Sequence, residues 1–468
     1  MTVQAAQKDL TPSSQNAYTT FITLVATLGG LLFGYDTAVI SGAIGSVRTY
    51  FELSSAQMGW AASSALVGCI IGALMAGFMG NVLGRKRSLV IAALLFSVSA
   101  VGTALPELFT TFVIYRIIGG IGVGIASMLS PMYIAEVSPP HVRGRLVSYN
   151  QFAIIFGMLV VYFVNYHIAG QGDDQWNINS GWRWMFGSEA IPAVLFLILL
   201  LAVPESPRWL AMKNRFDQAA GILSKIVGQQ EAAREMDEIK ASLKNDGNTK
   251  KASLKDLFRA NLPTVLLIGI SLSVLQQVTG INVFLYYAPE IFKQMGSKTD
   301  AALLQTIVVG AVNLVFTVIA ILTVDRFGRK PLMMIGSIGM GICISAIGFA
   351  AYNNNTDVWL LTFVLGYIAF FALSLGPVTW VLLSEIYPNR VRSLALSIAV
   401  AAQWIANFGV SQTFPMLMEN ETLLRHFNGG FPFWVYGSMC LVSLWFNWKI
   451  VPETKGRTLE DMEKLWND

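Results

Sequence analysis

Residues 272–287 read LSVLQQVTGINVFLYY. The run lies inside an apolar segment, residues 261–293, that is long enough to cross a bilayer, yet it carries Gln276, Gln277 and Asn282 and closes on Tyr286 and Tyr287. Lipid offers no hydrogen bonds, so a spanning segment must be helical and its amides must face a protein interior or a watery cavity. Thr279 and Gly280 sit among the amides and allow the helix to bend or break there. One or two polar groups commonly serve only as glue between helices. Three amides, each able to donate and accept, suit a ligand covered in hydroxyls and favour a cavity.

Apolar runs of about 20 residues, the length that spans a bilayer, recur along the rest of the 468-residue chain. Twelve are found, near 17–44, 57–80, 88–108, 111–136, 144–168, 181–203, 261–293, 302–324, 331–352, 357–386, 391–418 and 430–451. With 54% hydrophobic and 13% charged residues, the composition excludes a soluble globular protein and predicts an all-α integral membrane protein. Of the 32 Lys and Arg, Arg48, Arg183, Lys293, Lys298 and Arg425 lie in odd-numbered connections or at their edges and Arg116 well inside a span; all the others lie at the termini and in even-numbered connections or at their edges. The positive-inside rule then puts both termini in the cytoplasm. The net charge of +4 reports topology, not nucleic-acid binding. No cleavable signal peptide is expected, because the first apolar run is long enough to remain as a spanning helix. Cys69, Cys343 and Cys440 all fall in apolar spans, so neither a disulfide framework nor a metal site is expected. No Walker pattern is present, which excludes ATP as the driving force, and no cofactor is implied.

Three cytoplasmic landmarks repeat. Gly84-Arg85-Lys86 returns as Gly328-Arg329-Lys330, Glu136-VSPPHV-Arg143 as Glu385-IYPNRV-Arg392, and Pro204-ESPR as Pro452-ETKGR. One interval, roughly 250 residues, relates all three pairs, the mark of two homologous halves. The chain therefore divides into a six-helix bundle at 1–205, a cytoplasmic helical linker at 206–260, a second six-helix bundle at 261–451 and a cytoplasmic tail at 452–468. Within the linker, FDQAAGILSKIVG and EMDEIKASL have helical periodicity and KNDGNTKKAS reads as a flexible link. Arg85, Glu136 and Arg143 with Arg329, Glu385 and Arg392 would form a latch between the halves at this face that holds while the cytoplasmic side is closed and breaks when it opens.

Charge inside the membrane marks the second function. Asp36 stands in the middle of the first span, where a carboxylate costs about 3 kcal/mol on insertion scales. Its expected partner is Arg116 of the fourth span, and a partner that approaches and retreats would let the acid load and release a proton. Glu189 of the sixth span is a second acid, either tuning that pair or structural. The small residues Gly119, Gly120, Gly122, Gly124 and Ala126 read as helix packing. In the second half, Asn313, Gln403 and Trp404 lie within spans, and Gly376-Pro377 breaks the tenth, bringing Trp380 into the cavity. An indole covers the apolar face of a sugar ring while amides take its hydroxyls, so the set describes a pyranose site. Trp404 reads equally well as a packing or interfacial residue.

The GRK and DRFGRK loops, PESPRWL, QQVTGIN, LLSEIYPNRVR and VPETKGRTLE together resemble the sugar porter family of the major facilitator superfamily over essentially the whole chain. Within that family, LVATLGGLLFGYDTAVISG, FVIYRIIGGIGVG, NQFAIIFG and AVAAQWIANF are most similar to its bacterial D-xylose-proton symporters. The resemblance implies alternating access in a bacterial inner membrane, by a monomer, with a monosaccharide and a proton as substrates. It implies sugar contacts at Gln151, Gln276, Gln277, Asn282, Tyr286, Asn313, Gly376, Trp380, Gln403 and Trp404, an apolar lining from Phe33 and Phe371, and proton coupling by Asp36, Arg116 and Glu189. Facilitative members have a neutral residue in place of Asp36. Two departures stand out: Asn81-Val82 replaces the family's usual acid and base, and Met158 replaces a cavity-facing glutamine of the xylose symporters. The second opens selectivity to hexoses such as D-glucose. A hexose symporter, a sugar uniporter and a sugar sensor with a transporter fold are the alternatives; an enzyme is not indicated, since no nucleophile or catalytic pair stands out.

Overall fold

The structure is a computed structural model that describes residues 12–139, 142–248, 262–294, 296–353, 359–387 and 391–455. Every regular element among these residues is helical. The first six spans are Pro12–Tyr50, Ser55–Val82, Arg85–Ala104, Phe109–Val137, Arg143–Ala169 and Asp174–Ala202. The second six are Leu262–Gln294, Thr299–Phe327, Arg329–Tyr352, Trp359–Ile386, Arg392–Met418 and Phe431–Lys449. Eleven of the twelve are long and apolar enough to cross a membrane by composition. The last, a 19-residue helix, falls short because Trp434, Tyr436, Trp445, Asn447 and Trp448 dilute its aliphatic content. Such aromatics are typical of the membrane–water interface. Between the halves, Pro207–Met212, Phe216–Val227 and Gln229–Asn248 form a small helical cluster around Trp209, Leu210, Leu223 and Met236. Of the stretch read as a flexible link, residues 244–248 instead close the helix Gln229–Asn248, and residues 249–253 lie outside the described residues.

Close helix packing follows from the small residues. A side chain on Gly120 would bring a Cβ within 1.9 Å of the Ala65 carbonyl oxygen, and one on Gly124 within 2.4 Å of that of Cys69. Spans two and four therefore touch backbone to backbone, which gains dispersion contacts where no hydrophobic effect drives association.

Three spans are interrupted. The seventh stops at Val278 and restarts at Ile281, with Gly280 at a φ of +94°, a conformation that favours glycine. The tenth breaks at Ser374, just ahead of Gly376-Pro377, because proline cannot donate to the preceding turn. The sixth contains a π turn at Asn177–Gly181 and a second turn at Ser188-Glu189, which places Glu189 at the start of the helix Ala190–Ala202.

The halves meet at the end far from the linker. Ser63 donates to Gln412 Oε1 at 2.8 Å, Gln412 Nε2 donates to the Ala56 carbonyl at 2.9 Å, and Arg48 forms a forked pair with Glu419. Tyr162 of span five reaches the Leu285 carbonyl of span seven at 2.9 Å. That end is closed.

Replacing Gly120 by Ala should force spans two and four apart and cost about 1–3 kcal/mol, the usual penalty of overpacking. A thermal melt in detergent checks this, and an unchanged midpoint would contradict the backbone contact.

Candidate functional site

The amides of span seven converge as one network. The break in span ten frees the carbonyls of Leu375 and Gly376, and Gln276 Nε2 donates to them at 2.8 and 3.0 Å. Gln276 Oε1 in turn accepts from Gln403 Nε2 at 2.7 Å and from Gln277 Nε2 at 3.3 Å. Asn282 Nδ2 then donates to Gln277 Oε1 across the Thr279-Gly280 break. Such a chain fixes each amide's orientation before a ligand arrives. Around it, Gln403 Oε1, Trp404 Nε1 and Thr379 Oγ1 are buried without a partner. Orphaned buried polar atoms of this kind mark a place where a ligand or water belongs.

The remaining expected contacts sort into two groups. Phe33 of the first span packs on Trp404 with ring centroids 5.6 Å apart, so Trp404 belongs to the interior wall, not to the membrane interface. Phe371 is buried beside Gly376, and Met158 is buried where span five crosses Gly34. Tyr286 is held by Asn407 at 3.4 Å, which is itself bonded to Ser411 at 3.0 Å. Gln151, Asn313 and Trp380 make no side-chain hydrogen bond to a described residue, which leaves their polar groups free for a ligand. Asn407 and Ser411 escaped the sequence reading, although Gln403, Asn407 and Ser411 are spaced by four residues and share one helix face.

Asp36 and Arg116 form the expected ion pair. Nη1 of Arg116 lies 2.9 Å from Asp36 Oδ1 and 3.2 Å from the Asp36 carbonyl, and both side chains are 1% exposed. The guanidinium also stacks 5.5 Å from the Phe186 ring. Glu189 is a second fully buried carboxyl, and Asp36 Oδ2 and Glu189 Oε1 are both buried without a hydrogen-bond partner. Phe33 is three residues from Asp36 on the same helix, so the ion pair and the aromatic wall of the cavity ride on one turn of span one.

In this structure the expected latch residues form pairs within each half. Arg85 pairs with Glu136 at 2.8 Å and Arg329 with Glu385 at 2.8 Å, each inside its own half. Arg143 donates to the Ser138 carbonyl and Arg392 to that of Tyr387, again within one half. The reason is local: each Glu ends one span and each Arg opens its neighbour in the same bundle. Ser206 donates to Glu136 as Thr454 donates to Glu385, so the two networks repeat each other. Glu205 and Glu453, unassigned from sequence, complete them. Glu205 Oε1 accepts from the backbone N–H groups of Arg85 and Lys86 at 2.9 and 3.0 Å. Glu453 accepts from those of Arg329 and Lys330 at 3.1 and 3.0 Å. A carboxylate at a helix N-terminus satisfies orphan donors and complements the dipole.

A buried amide network in the second bundle and a dry acid–base cluster in the first, within two repeated six-helix bundles, fit a membrane transporter of the major facilitator fold rather than an enzyme. The chain belongs to the sugar transporter family: the model of the family described as "Sugar (and other) transporter" matches residues 22–466. The D-xylose-proton symporter of Escherichia coli strain K12 is 54% identical to it over 96% of each chain. The arabinose-proton symporter of Bacillus subtilis strain 168 is 41% identical over 98% of this chain and 97% of that one. The inward open conformation of the xylose transporter XylE from E. coli superimposes with a TM-score of 0.85 at 52% identity, covering 96% of this chain and 100% of that one.

Burial pushes the Glu453 carboxyl up, but the N–H donors of Lys455, Arg329, Lys330 and Thr454 more than offset it and hold it below the ordinary value of 4.5. A depressed acid contributes stability above its unfolded value and loses it as pH falls. Glu453→Gln should therefore lower the melting temperature at pH 7, with the gap to wild type shrinking below pH 4.5 and closing under the lowered native value. A gap independent of pH would contradict this.

Proposed function

We propose that the protein is a D-xylose:proton symporter that works by alternating access and is captured here facing the cytoplasm. The observation that carries the proposal is the enclosed cluster of Asp36, Arg116 and Glu189, in which Asp36 lies on the same span as Phe33 of the aromatic wall. Two carboxyls and one guanidinium in a dry pocket are electroneutral with one proton between them. If Arg116 retreats, Asp36 loses its counter-charge and takes up a proton; if it returns, the proton leaves. Rocking of the halves supplies that movement, and the turn from Phe33 to Asp36 links it to the sugar.

In this reading, Gln276, Gln277, Asn282, Gln403, Gln151 and Asn313 bind the hydroxyls, with Trp380, Trp404, Phe33 and Phe371 against the ring. Positive charge at the termini and even connections orients both termini to the cytoplasm of a bacterial inner membrane, with one chain sufficient for transport. The name of the E. coli relative and its 54% identity support xylose. Met158 favours a second reading, in which D-glucose is carried as well, because a thioether does not discriminate by hydrogen bonding. A 100 mV potential supplies about 2.3 kcal/mol per charge, and each tenfold sugar gradient costs about 1.4 kcal/mol. One proton sustains more than tenfold accumulation.

Asp36→Asn should abolish uphill accumulation of labelled xylose in energised vesicles while counterflow exchange and sugar binding persist. Retained accumulation would sink the coupling role. Trp380→Ala should weaken xylose binding about tenfold, or ~1.4 kcal/mol, measured by calorimetry; unchanged affinity would remove Trp380 from the site.

A further inference from the structure

A groove of about 1140 Å³ opens between the two halves in the part of the membrane nearest the linker. Phe21, Leu24, Phe152 and Phe156 of spans one and five form one wall, and Val318 and Leu322 of span eight form the other. Phe152 and Phe156 stack nearly parallel, 5.9 Å apart, and present a flat apolar surface. Thr27 donates to the Leu24 carbonyl at 2.7 Å and Ser148 to that of Gly144 at 3.0 Å, so these hydroxyls are satisfied. Beyond the exposed phenol of Tyr149, the rest of the uncharged lining is hydrocarbon.

One charge borders it. Arg145, at the groove's mouth near the start of span five, is exposed and pairs with no carboxylate among the described residues. Arg326, also exposed, lies one turn beyond Leu322 on the opposite wall. From Arg145 to Phe156 the helix rises about 17 Å, close to the depth of one leaflet, about half of a 30 Å hydrocarbon core. The groove is thus as long as a leaflet is thick, greasy along its length and cationic at its headgroup end.

We infer that this groove is a binding site for an anionic phospholipid of the cytoplasmic leaflet. One acyl chain lies between Phe152, Phe156 and Leu322, and the phosphate sits on Arg145. A basic residue at the membrane surface attracts anionic lipid, so the headgroup sets the selectivity and the chain sets the position. Because the walls come from different halves, the lipid bridges them, a point that rests on the inward-facing reading; the site itself does not.

The experiment is native mass spectrometry of the purified full-length protein taken from equimolar phosphatidylglycerol and phosphatidylcholine. Wild type should retain phosphatidylglycerol several-fold over phosphatidylcholine. Arg145→Gln should lose at least fivefold of it and Arg145→Lys should keep most, with xylose binding intact in both. Leu322→Trp, which fills the groove, should lose both lipids. Equal retention of the two lipids by wild type, or undiminished phosphatidylglycerol on Arg145→Gln, would overturn the site. Should Arg145→Gln fail to fold, Leu322→Trp decides in the same way: phosphatidylglycerol retained at the wild-type level refutes it.

Discussion

An ion pair that water does not reach is the constraint on which the rest of this protein depends. Removing one partner of a buried pair typically costs 3–5 kcal/mol, because the other charge is left uncompensated. In the proposed mechanism, Asp36 and Arg116 therefore separate only when a proton takes the place of the guanidinium. Their separation and the proton's arrival are one event. Since Asp36 shares a helical turn with Phe33, and Phe33 packs on Trp404, movement at the pair is felt at the cavity wall.

The broken helices supply the other half of the chemistry. A continuous helix in lipid spends all its backbone groups on itself. Interruption at Ser374 releases the carbonyls that hold Gln276, and interruption at Thr279-Gly280 lets Asn282 turn back to Gln277. The amide network is rigid because irregular backbone and side-chain amides satisfy each other. Away from it, the paired networks Arg85–Glu136–Glu205 and Arg329–Glu385–Glu453 brace each bundle internally, so that the halves can move as bodies.

Much of this was legible in the sequence because the bilayer is an unforgiving solvent. Twelve apolar runs, a buried acid with one intramembrane arginine, and three amides in span seven all follow from that single rule. The duplicated loop motifs announced two halves, but not the direction of their pairing: Glu136 and Arg143 are seven residues apart in the chain, and nothing in that spacing tells that Glu136 chooses Arg85 of its own bundle. Glu205 and Glu453 were visible as a repeat, yet their role depends on reaching helix N-termini far away in sequence. The groove between spans five and eight is invisible to any pattern, since it arises only where two halves fail to touch.

The central claim is that sugar and proton move together through one carrier. It is tested most directly by recording external pH in lightly buffered, de-energised cells that carry the protein as D-xylose, and separately D-glucose, is added. The account predicts alkalinisation on xylose; the same response to glucose would move the assignment to a broader or hexose symporter. Uptake of labelled xylose with no pH change would contradict it and leave a uniporter in its place.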